Sequence, residues 1–253
     1  MFLALMMAAA TGRALDDNDP YSKNCAQALK LGNDLKEDLP NRFQSDLAAR
    51  PMLLLAQTTP FAVPAAAQTG RQIVFSRGMI DLLNHLCHAK AADKAEPGFF
   101  DRYLLEVAAG KTPEITDSKF WTSEVLNDQA SYFNQMAGMI CALNYSHQYL
   151  GHCTKYANVI CSPQGDVTSI NNFLTQREWK ESLRAAALNS LQCALSTEGL
   201  QVLFDAINRM PQRPDWTGFI MPQGIDVRST NQQLSRWEED FFHGKFQFHG
   251  KFQ

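Results

Sequence analysis

FNQMAGMICALNYSHQYLGHCTKY, residues Phe133 to Tyr156, decides how the rest of the chain is read. Phe133, Met136, Ile140, Leu143, His147 and Leu150 recur at steps of three and four, the spacing of one face of an α-helix. The stretch is therefore expected to be one long helix with an apolar face. His147 lies on that face, among residues that seek a core. That is where a zinc enzyme places an imidazole, and also where a hydrogen-bonded core histidine sits. His152 is five residues further on, about 140° around an ideal helix, so the two imidazoles are not expected to share an ion.

Around this stretch, the 253-residue chain has enough apolar content for a substantial core and a formal charge of only -3. It has no basic run and no basic-aromatic interleaving, which argues against nucleic acid as a partner. It has no run of about 18 apolar residues, so no membrane-spanning helix is expected. Residues 1–20 begin MFLALMMAAATGRA, apolar and small like a secretory signal but without a basic start. Six cysteines (Cys25, Cys87, Cys141, Cys153, Cys161, Cys193) fit an exported protein with one or more disulfides. Buried free thiols are the plain alternative. There is no CxxC, so no thioredoxin-type or zinc-knuckle motif is supported.

Outward from the centre, residues 21–242 read as a single, mainly helical domain with a small β element, an α+β class. Helices are expected over Tyr21–Glu37, Leu39–Leu55 (broken at Pro51), Met79–Asp93, Phe99–Ala109, Glu178–Leu195, Thr197–Arg209 and Asn231–Phe242. Ser123 is the expected N-cap of the long helix. Arg71–Ser76 gives the best strand signal. Residues 94–128 are more polar, carry Pro97, Gly98, Gly110 and Pro113, and read as an inserted lobe. The tail, residues 243–253, falls in a hexapeptide, FHGKFQ, written twice from Phe242. A perfect terminal duplication is more often an artefact of sequence generation than a functional repeat, so His243 and His249 are left out of the site reasoning.

Four blocks of this chain, in order, resemble the M48 family of zinc metallopeptidases. Pro60-Phe61-Ala62-Val63-Pro64 is similar to that family's "naFalP" stretch. Gln72 to Leu83, QIVFSRGMIDLL, is similar to its strand followed by "trGLLdll". Ser146 to His152, SHQYLGH, is similar to the end of "HElaHvllgH". Glu181 to Met210 is similar to its third-ligand helix and the helix after it. The resemblance spans roughly residues 60–210. It implies a zincin-like helical core with a short sheet, and zinc held by two HExxH histidines and a later Glu. On that pattern His147 is the second imidazole and Glu181 the third ligand, with Glu178 its competitor. The first imidazole position is Leu143, and the position of the general base is Asn144, an amide that takes no proton.

Replacement ligands are conceivable. Asp81, His85 and His88 form one stripe of the preceding helix, and His85 or His88 with His147 and Glu181 would make a rebuilt zinc site. The plain alternative is a solvated polar stripe. For Asn144 it is a helix-to-helix hydrogen bond in the core, for His152 a surface or interface position, and for Glu181 a solvated helix start. No GxSxG, P-loop or GxGxxG occurs. Three functions follow as expectations. The first is a degenerate metallopeptidase-like envelope protein that binds peptide or protein. The second is an active zinc metallohydrolase with relocated ligands. The third is a non-enzymatic helical envelope protein, favoured if Ile73–Phe75 is not a strand beside the long helix.

Overall fold

The computed structural model describes residues 22–37, 39, 41–55, 60, 62–67, 70–109, 113–152, 175–210 and 220–245. The expected signal-like stretch, Cys153, Cys161, Pro211, Pro214 and most of the duplicated tail lie outside the described residues.

The chain is mainly helical with one small sheet, the α+β class expected. Helices α1 (Ser22–Glu37) and α2 (Asn41–Gln44) precede strands β1 (Leu47–Leu55), β2 (Ala62–Ala67) and β3 (Gly70–Ser76). Then come α3 (Arg77–Ala95), α4 (Phe99–Ala108), a 3-10 turn (Ser118–Phe120), α5 (Ser123–Tyr149), α6 (Gln176–Gln192), α7 (Glu198–Arg209) and α8 (Val227–Phe242).

The stretch over 39–55 corrects the helix expected there. It forms α2 and then β1, which runs parallel to β3. LAARPMLLL has helix-forming side chains, but β3 offers a row of backbone partners, and tertiary pairing overrides a weak local preference. Pro51 causes no conflict. The strand order is β1-β3-β2, so β1 is an edge, and its pairing register is irregular between Leu47 and Met52, where Pro51 falls. An edge strand at an irregularity is where a residue without an N–H is tolerated. β2, also unexpected, is the antiparallel partner of β3 on the other side.

Helix α5 is the hub. It packs against α1, α3, α6, α7, β2 and β3. Every residue from Met136 to Gln148 is buried, polar ones included. A helix buried all round shows only a weak amphipathic stripe. Small residues let the neighbours come close. A Cβ on Gly199 would stand 2.7 Å from the backbone nitrogen of Met136, so α7 crosses α5 almost backbone to backbone. Buried polar atoms tie the layers together. The Tyr145 hydroxyl donates to the Gly32 carbonyl of α1 at 2.7 Å. Asn24 and Gln129 both donate to Asn84 Oδ1. Arg71 donates to the Gln148 carbonyl at 2.9 Å, and the Gln148 amide donates to the Gln72 carbonyl at 2.5 Å. The last pair fixes β3 to the C-terminal end of α5. The segment expected as an inserted lobe contributes Phe100, Tyr103, Leu104, Ile115 and Phe120 to the same core.

Helix ends differ from the expected ones for local reasons. Thr122, not Ser123, caps α5, its hydroxyl accepting from Val125 N. Helix α8 starts at Val227 rather than Asn231, because Asp226 accepts from Ser229 N. Helix α6 carries a capping box: Thr175 accepts from Glu178 N while Glu178 accepts from Thr175 N. The largest difference is at the end of α5, and it determines the site.

Candidate functional site

Helix α5 stops at Tyr149, not Tyr156. Gly151 adopts φ +78°, the left-handed conformation that glycine accepts without steric cost. Two hydrogen bonds close the end: Gly151 N to Gln148 O at 3.1 Å, and His152 N to His147 O at 2.9 Å. This is a Schellman motif, in which the second residue past the helix end bonds back across the last turn and packs its side chain on the residue it bonds to. Those two residues are His147 and His152. Their ring centroids lie 6.4 Å apart. The expected 140° separation is therefore corrected: it assumed a helix that Gly151 ends. The sequence signal was the Gly of Leu150-Gly151-His152, a helix-terminating glycine one residue before the histidine.

His152 is not a surface residue either, its side chain being 12% exposed. Its Nδ1 lies 2.9 Å from Ser182 Oγ, and its Nε2 lies 3.7 Å from a Glu181 carboxylate oxygen. Glu181 is about half exposed and also accepts from Arg177 at 2.9 Å. The end of α5 and the first turns of α6 thus bring together His147, His152, Glu181 and Ser182.

His147 is buried, at 2% exposure. Burial pushes its pKa down to about 3, helped by the neighbouring His152 and opposed by Glu178. It is neutral at physiological pH and keeps a ring lone pair. Glu178 is held in the capping box by Thr175 N and Oγ1.

The two positions that the resemblance makes catalytic do not fit zinc hydrolysis. Leu143 is a core side chain at 1% exposure. Asn144 donates from Nδ2 to Ile140 O at 2.9 Å, a bond within its own helix and not the helix-to-helix bond expected. Its Oδ1 is buried and meets no donor among the described residues. Neither residue supplies a ligand or a base.

The helix-α3 histidines lie elsewhere. Cys87 meets Met136 at 3.5 Å between sulfurs, which fixes the level at which α3 crosses α5. His147 is eleven residues further along, about 16 Å at the helical rise. His88 is not on a solvated stripe. It is fully buried, stacks edge-on against Trp121, and its Nε2 lies 2.7 Å from the Phe120 carbonyl. Burial lowers its pKa. It pins the segment before α5 to α3. Asp81 pairs with Arg77, and His85 is half-buried. Among the described residues, no three His, Cys, Asp or Glu side chains already stand together as a metal site. Cys87 and Cys141 are free thiols in the core.

Beside Glu181 lies an open groove of about 600 Å³ between the starts of α6 and α8. Arg177, Lys180, Glu181, Asp226, Gln233 and Trp237 are among its lining residues. Its walls carry both signs of charge and one indole. Compared with protein-family models, with curated proteins and with solved structures, the chain matches none.

Proposed function

We propose that the chain is a metallopeptidase-like scaffold of the cell envelope that has lost the hydrolytic centre and acts by binding peptide or protein. The observation that carries this reading is Asn144. The residue in the general-base position is an amide turned back onto Ile140 O, beside a buried Leu143. Water activation of the HExxH type needs a carboxylate there and a second imidazole one turn before His147.

Two further features support a binding role. The mixed-charge groove with Trp237 offers polar partners and one aromatic surface. Strand β2 is an edge of the sheet, and an extended peptide can add to such an edge through main-chain hydrogen bonds. Pro64 limits that pairing to part of the strand. Ile73–Phe75 lie in β3, which is bonded to α5 through Gln148, and this favours the metallopeptidase-like reading over an unrelated helical protein. Export rests on the N-terminal stretch and not on disulfides, since Cys87, Cys141 and Cys193 are free thiols.

The test is turnover. Purified chain supplied with zinc is expected to cleave neither casein nor a mixed library of fluorogenic peptides, while retaining a subset of peptides from that library in a pull-down. Cleavage that disappears on His147→Ala overturns the reading and restores an active enzyme with relocated ligands.

A further inference from the structure

Helix α5 carries a motif that the site does not use. Asn144-Tyr145-Ser146 has the Asn-x-Ser pattern of an N-glycosylation acceptor, and the pattern occurs once in the 253 residues. A glycan is bulky and polar, so its asparagine ordinarily lies on the surface. Here the whole motif is in the core. Asn144 is 2% exposed, and Tyr145 and Ser146 are 0% exposed. Each side chain is also bonded where it lies. Asn144 Nδ2, the atom that would carry the sugar, donates to Ile140 O at 2.9 Å. The Tyr145 hydroxyl donates to Gly32 O, and Ser146 Oγ donates to Ala142 O at 2.8 Å. No transferase reaches that amide while α5 is packed.

We propose that Asn144 is a glycan acceptor in the unfolded chain only, so that glycan transfer and folding exclude each other. The co-reactant is a lipid-linked oligosaccharide. Transfer forms a bond from Asn144 Nδ2 to C1 of the first sugar and breaks the bond from that carbon to the lipid diphosphate. The diphosphate leaves with its electron pair, and the amide proton passes to a base of the transferase. A core at native density resists even added methylenes, and buried sugar hydroxyls would lack partners. A glycosylated Asn144 therefore keeps α5 from packing. The order of synthesis leaves the acceptor open, because α6 and α7, which pack on α5, are complete only at Arg209. At about 5–20 residues per second, the 65 residues from Asn144 to Arg209 take about 3–13 s. The native chain is thus the product of a route on which the emerging chain meets no such transferase. This narrows the envelope reading above to compartments that do not glycosylate proteins as they are exported. The exclusion itself depends neither on export nor on peptide binding.

The experiment gives a solubilised oligosaccharyl transferase and lipid-linked oligosaccharide to the purified full chain, once native and once freshly diluted from urea, in reducing buffer. The unfolded chain is expected to gain one glycan. Transfer to the native chain should be at least about 100-fold slower, since a core segment opens only with much of the global unfolding free energy. Ser146→Ala, which keeps Asn144 but breaks the acceptor pattern, should abolish transfer, and Asn144→Gln should do the same. Circular dichroism then compares the two fractions of one sample, separated on a lectin column. The unmodified fraction should regain a cooperative unfolding transition and the glycosylated fraction should not. Equal transfer to native and unfolded chain, no transfer to the unfolded chain, or a native transition in the glycosylated fraction each overturns the proposal.

Discussion

His147 shows what one buried side chain does to the whole free energy. Its pKa is pushed down to about 3 in the folded chain, against about 6.5 when unfolded. Below pH 6.5 the unfolded chain takes up a proton that the folded chain refuses. Stability is therefore full above that pH and is lost as pH falls, by about 1.4 kcal/mol per unit, until the folded chain also protonates near pH 3. His88, likewise lowered by burial, adds in the same direction. In chelator, the urea midpoint is expected to fall steeply between pH 6 and 4, and His147→Gln should flatten that slope. A midpoint independent of pH in that range contradicts the buried neutral imidazole. The sequence made the inward position of His147 legible through its spacing from Phe133, Met136, Ile140 and Leu143. It did not reveal His88 as buried, because the carbonyl of Phe120 and the ring of Trp121 that receive it come from 32 residues away or more. Periodicity along one helix carries no information about such a partner.

At the scale of an element, helix ends hold the differences between expectation and structure that bear on the site. Among the described residues, three helices end in the same way. After α6, Ala194 N bonds to Leu191 O and Leu195 N to Ser190 O; after α8, Gly244 N bonds to Phe241 O and Lys245 N to Asp240 O. The left-handed position is glycine in α5 and α8 but alanine in α6, where Ala194 has φ +58°. An L-alanine there is strained by about 1 kcal/mol. Ala194→Gly is expected to raise stability by several tenths to about 1 kcal/mol, read from the denaturation midpoint at unchanged m-value. Gly199→Ala should do the reverse. Its Cβ would meet Gln135 and the backbone of Met136, forcing α7 off α5 at a cost of about 1–3 kcal/mol or more. Thr175→Ala removes half of the capping box and should cost about 1 kcal/mol. Most helices and β3 were legible, since each has a 3.6-residue or strand-like pattern of its own. Strands β1 and β2 were not: LAARPMLLL and AVPAAA lack β-branched alternation, and only pairing with β3 makes them strands.

For the whole molecule, the central fact is a helix packed, among the described residues, against α1, α3, α6, α7, β2 and β3. Amide exchange should be slowest from Met136 to Gln148 and faster in the second half of α8, whose residues are mostly half-buried or exposed. Equal protection in the two would contradict the hub arrangement. The class and the central helix could be read from sequence because that helix is long and apolar. What encloses it could not, because the partners are set by contacts between distant segments. The enclosure has a consequence for how the chain is made. Domains fold from the N-terminus as they are synthesised. The elements α1, β1 to β3 and α3 precede α5 and can receive one side of it at once. The other side waits for α6 and α7, which end at Arg209. Until then the ribosome presents a half-covered apolar rod. Chains stalled before Gln176 should bind a chaperone or aggregate, whereas chains carried beyond Arg209 should release it. The timing of synthesis, as much as the final contacts, therefore decides whether the hub is buried in its own chain or in another's.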